Sequence, residues 1–111
     1  MTSKPSIEGA LAAMCNLGEC NRATRAVVVE RFIASAIDVL MIPGGVLLQF
    51  ARTGASARAV LGFIGVEREC CARYQYRVHS GKETLDLEIT GRGQDVHHLQ
   101  TFYLGLARRA K

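Results

Sequence analysis

The sequence predicts an α+β fold: a four-stranded antiparallel sheet made of two hairpins, with three helices mainly on one of its faces, in the order α-ββ-α-ββ-α. Three observations predict it. Apolar residues recur at helical spacing in residues 22–37, 56–71 and 91–110. The stretches between them carry short apolar runs or strict alternation, the period of a strand. The reversals Pro43-Gly44-Gly45 and Ser80-Gly81-Lys82 split each of those stretches in two.

In "RATRAVVVERFIASAI", residues 22–37, Ala26, Val29, Ile33 and Ala36 form one helical stripe, which Val28 and Phe32 widen, with Arg22, Arg25, Glu30 and Arg31 mostly outside it. "DVLMIPGGVLLQFAR" follows as a hairpin, because proline sets φ and glycine admits positive φ. A loop through Thr53 and Gly54 leads to Ser56, read as the N-cap of a second helix whose stripe holds Ala57, Val60, Ile64 and Cys71. Gly62 and Gly65 lower its intrinsic helix propensity. The period then changes to two: Tyr74, Tyr76 and Val78 alternate with Gln75, Arg77 and His79, and Leu85, Leu87 and Ile89 alternate with Asp86 and Glu88. One face of this hairpin is for burial. The other pairs Arg77 and His79 with Asp86 and Glu88, a register device worth about 0.2–1 kcal/mol per pair. Gly91-Arg92-Gly93 has too few glycines for a phosphate-binding fingerprint and reads as the turn into the last helix, whose stripe is Val96, Leu99, Tyr103 and Leu106.

At 111 residues, 49% of them hydrophobic, residues 1–111 make one domain, with 1–20 expected as a flexible N-terminal segment. The net charge of +4 is spread along the chain, and its densest cluster, Arg108-Arg109-Ala110-Lys111, reads as a solvated helix end rather than a nucleic-acid footprint. The opening residues hold no long apolar run and include Glu8, so neither a signal peptide nor a membrane span is expected. The expected compartment is therefore a reducing cytoplasm. There, four cysteines are thiols for metal or redox chemistry, or plain core residues, rather than a disulfide framework.

Two of the four are adjacent, Cys70 and Cys71, where the helical period ends. At about 100° per residue, both lie one turn beyond Glu67, which falls between them and inside the apolar arc of Val60, Phe63 and Ile64, whereas Glu69 points to solvent. A carboxylate on the core face needs a partner or a proton, and Arg25 or another arginine is the expected structural partner. Cys15 and Cys20 flank a segment containing Gly18, where a bend brings both thiols toward one point. Convergent thiolates suit zinc, copper(I), mercury(II) or arsenite over magnesium and calcium. The spacing matches a structural zinc knuckle poorly, and an adjacent pair closes only a strained disulfide ring. A soft, low-coordinate ion or a reactive-thiol role fits the spacing better. Against this stands cysteine's habit of filling core space as a small hydrophobe. His97 and His98 read as surface residues rather than ligands.

The stretches "VERECCARYQYRV" and "TLDLEITGRGQDVHHLQTFYLGL" resemble a group of small, largely uncharacterised bacterial proteins. In these a helix ends in Leu-Glu-Arg-Glu-Cys-Cys-Pro-Phe and is followed by a Leu-x-Ile-Thr-Gly hairpin and a closing helix. The matching positions are Glu67, Arg68, Glu69, Cys70, Cys71 and Ile89-Thr90-Gly91; a cysteine near the start of such chains corresponds to Cys15. The chain departs from the pattern at Ala72-Arg73, which replaces Pro-Phe and removes a helix stop and an aromatic lid. The resemblance implies a heavy-metal-resistance context and directs the expectation to mercury or arsenic.

Three functions follow. The first is a cytoplasmic, thiol-based binder of mercury(II) or arsenite, with Cys70 and Cys71 as principal ligands, Cys15 or Cys20 as a third, Glu67 as a proton-handling neighbour, and no turnover. The second is an enzyme resembling organomercurial lyase in its parts, with Cys70 and Cys71 gripping mercury and Glu67 as the acid. The third is a homodimeric interaction module with structural cysteines and an uncovered sheet face as its interface.

Overall fold

The computed structural model describes residues 22–70 and 73–110. The elements are α1 (Arg22–Ala34), β1 (Asp38–Ile42), β2 (Gly45–Ala51), α2 (Gly54–Cys70), β3 (Gln75–Ser80), β4 (Thr84–Thr90) and α3 (Gln94–Ala110). The four strands form one antiparallel sheet in the order β1-β2-β4-β3, so the two hairpins join through β2 and β4. The expected α+β architecture, with three helices and a four-stranded antiparallel sheet, is therefore observed among the described residues.

The register sorts the strand residues onto two faces. Val46 stands opposite Ile89, Leu48 opposite Leu87, and Phe50 opposite Leu85, with Tyr76 paired to Ile89 on the far side. All of these are buried. All three helices reach this face through aromatic rings. Phe32 of α1 lies 4.8 Å from Phe50 and stacks on Phe63 of α2 at 4.1 Å, and Phe63 meets Tyr103 of α3 edge-on at 6.5 Å. Such contacts contribute about 0.5–1.5 kcal/mol each beyond the area they bury. The opposite face carries Asp38, Leu40, Leu47, Gln49, Arg77, His79, Asp86 and Glu88, and none of these is fully buried.

Turn chemistry fits the connections. Pro43 and Gly44 form the two-residue link between Ile42 and Gly45, and Gly44 has φ +86°, the arrangement of a turn with proline at its second and glycine at its third position. Gly91 is required by crowding. A Cβ there would stand 2.8 Å from the Cβ of Asp95 and 3.2 Å from Cδ1 of Tyr74. Gln100 of α3 then donates to the carbonyls of Ile42 and Gly45 at 3.3 and 3.2 Å, tying the last helix to the first hairpin.

Several boundaries and orientations differ from expectation. Helix α1 stops at Ala34 rather than Ile37, because the Ser35 hydroxyl and amide both donate to the Phe32 carbonyl and close the last turn. Ala36 is still buried, but from the loop, and Val28 is half exposed rather than part of the stripe. Helix α2 is capped by Thr53, whose Oγ1 accepts from the Ser56 amide at 3.0 Å, so Ser56 lies inside the first turn. Val78 has the inward parity but sits on the edge strand β3 and is 41% exposed. Helix α3 begins at Gln94, and its buried stripe includes Phe102. On the outer face His79 stands opposite Asp86 in register, yet its Nε2 contacts Glu88 Oε2, diagonally, at 3.3 Å.

Gly62 and Gly65 lie in the interior of α2, both exposed, and a Cβ built on either would meet nothing within 4 Å. Each therefore contributes backbone entropy to the unfolded chain without a packing role. Gly62→Ala and Gly65→Ala are each expected to stabilise the protein by about 0.5–1 kcal/mol, read as an increase in urea midpoint at constant slope.

Candidate functional site

Among the described residues, Glu67 is the one fully buried acidic or basic side chain. Helix α2 puts it there by spacing alone: Val60, Phe63, Ile64 and Glu67 follow at intervals of three and four, and all four are buried. Glu69, two residues on, is exposed as expected. The Tyr103 hydroxyl of α3 donates to Glu67 Oε1 at 3.4 Å, a long contact for an O–H donor, and it is not the only interaction of this carboxylate. The described oxygen partner is thus a tyrosine. The side chain of Arg25, the arginine anticipated in this role, lies outside the described residues.

Cys70 lies on α2, so the backbone places it one turn beyond Glu67. The Cys70 side chain and all of Cys15, Cys20 and Cys71 lie outside the described residues. His97 is exposed, whereas His98 is half buried with its Nδ1 buried and without a hydrogen-bond partner among the described residues; their ring centroids lie 6.2 Å apart. Among the described residues no group of three or more His, Cys, Asp or Glu is placed to hold a metal ion. No helix among them is long and apolar enough to cross a membrane.

The residues flanking β3 and β4 form a feature that no sequence motif marks. A cleft of about 290 Å³ is lined by Arg73, Gln75, Thr90, Gly91 and Arg92. Register builds it: Gln75 at the start of β3 stands opposite Thr90 at the end of β4, which draws the residues flanking both strands to one place. Arg73 is held against the wall, its Nε 3.3 Å from Asp95 Oδ1, its Nη2 3.4 Å from the Tyr74 hydroxyl, and its guanidinium 5.4 Å from the Tyr74 ring centre. Among the described residues no acidic side chain forms an ion pair with Arg92, which is exposed. The signal for this cleft was present in the alternation itself, since pairing the two strands from the Gly81 turn outward brings Gln75 to Thr90.

Searches against protein-family models, curated proteins and solved structures found no match to the chain.

Proposed function

We propose that the chain is a thiol-based binder of a soft heavy-metal ion, mercury(II) or arsenite, acting in a reducing cytoplasm. Cys70 and Cys71 are the principal ligands and Cys15 or Cys20 supplies a third. The observation that supports this reading most is the position of Cys70 on α2, one turn past the buried Glu67. A vicinal pair offers two thiolates without the tetrahedral set that zinc prefers. In this reading the metal is cargo. Glu67 is a nearby carboxylate able to take up the protons that thiols release on binding metal.

Titration of the reduced chain under native mass spectrometry is the direct test. One mercury(II) or arsenite is expected per wild-type chain, held in the presence of excess zinc, while the Cys70→Ser/Cys71→Ser variant should lose that uptake. Equal uptake by both would remove the pair from the site. Incubation with a phenylmercury salt and excess small thiol separates binding from lyase chemistry: a stable adduct is expected, and benzene in molar excess over protein would establish turnover.

A further inference from the structure

We propose that the cleft between the start of β3 and the start of α3 binds a small organic anion carrying a carboxylate or phosphate head. Two arginines, Arg73 and Arg92, share its lining with Gln75 and Thr90. Asp95 is paired with Arg73. Arg92 has no acidic partner among the described residues, so one arginine charge at the cleft stays uncompensated. An entering oxyanion supplies the missing charge and accepts from a planar guanidinium, the geometry for which arginine surpasses lysine.

Arg73 is already oriented by Asp95 and Tyr74, so less side-chain freedom is lost when a ligand arrives. The positive end of the α3 dipole adds to the same field, because α3 starts two residues past Arg92. Gly91 keeps the floor low, since any side chain there would collide with Asp95 and Tyr74. Volume decides between a bare ion and an organic one. The cleft's volume of about 290 Å³ exceeds what a bare phosphate ion fills and lies near the lower limit of small-molecule sites.

The test is a titration of the full reduced chain at low ionic strength, followed by two-dimensional amide NMR, with glycerol 3-phosphate, malate and inorganic phosphate as separate probes. Saturable shifts are expected at residues 73–75 and 90–95 with glycerol 3-phosphate, malate or both, at lower concentration than with inorganic phosphate. Arg92→Gln, at an exposed position, should weaken binding roughly tenfold or more, the effect of removing a charged hydrogen bond, whereas Arg31→Gln, on the exposed surface of α1, should leave it unchanged. Shifts that rise linearly without saturating, or equal affinity in Arg92→Gln, would overturn the site. Affinity for inorganic phosphate equal to that of both organic probes would overturn its assignment to an organic ligand.

Discussion

Gly45→Ala is expected to cost roughly 3 kcal/mol of stability, a larger loss than most single substitutions cause. Gly45 opens β2 opposite Thr90 of β4, and a Cβ on it would overlap the carbonyl oxygen of Ile89. The obstacle is backbone, so no rotamer change relieves it, and the strands must separate at the junction of the two hairpins. Gly44→Ala provides the comparison. That residue needs φ +86° but has room for a methyl group, 3.8 Å from the nearest Thr90 atom, so a loss of about 1–2 kcal/mol is expected from backbone strain alone. Urea unfolding of both variants checks the order. A Gly45→Ala protein within 1 kcal/mol of wild type would mean that β2 and β4 do not pair in the register described.

Glu67→Ala is expected to cost about 2–4 kcal/mol. The substitution leaves a cavity among Phe63, Ile64 and their neighbours and deprives the buried Tyr103 hydroxyl of an acceptor. Glu67→Gln keeps the volume and an amide oxygen to accept from Tyr103, so its stability should fall within about 1 kcal/mol of wild type. The informative measurement on the Gln variant is the pH dependence of thiol alkylation at Cys70 and Cys71. A shifted profile at near-native stability places the carboxylate beside the thiols in function. A loss as large as that of the Ala variant, with alkylation unchanged, would make Glu67 a core residue and withdraw it from the proposed site.

The legible part of this fold is its periodicity. The switch from helical spacing in α2 to alternation in β3 and β4 was visible in residues 57–89, and so was the burial of Glu67, which follows from counting threes and fours along one helix. What periodicity does not carry is where an element stops. Ser35 ends α1 by a hydrogen bond to Phe32, although Ala36 continues the stripe, and Thr53 caps α2 although Ser56 has the same chemistry three residues later. Tyr103 was legible as a core position on α3 but not as a partner of Glu67, since that contact depends on how two helices cross. The arginine cleft was harder still. Its lining comes from two separate stretches joined only by strand register, and neither Arg73 nor Arg92 belongs to a motif in its own neighbourhood. The thiol site remains a reading of sequence: one turn from Glu67 by helical arithmetic, with Cys15, Cys20, Cys71 and the Cys70 side chain outside the described residues.

The strand order also bears on how the chain reaches its native state. Each hairpin closes locally, β1 with β2 across Pro43-Gly44 and β3 with β4 across the Gly81 turn, steps that take microseconds in isolation. The central pair is different: Ala51 meets Thr84 and Gly45 meets Thr90 only after all of α2 and β3 have been looped out between them. Loop-closure entropy is therefore concentrated in a single event, the docking of two preformed hairpins along the β2–β4 seam, and that seam holds Val46, Leu48, Phe50, Leu85, Leu87 and Ile89. Side chains along that seam are therefore expected to set how fast the protein folds, read as slower refolding when Leu48 or Leu87 is truncated to Ala, while fraying is expected at the edges of β1 and β3.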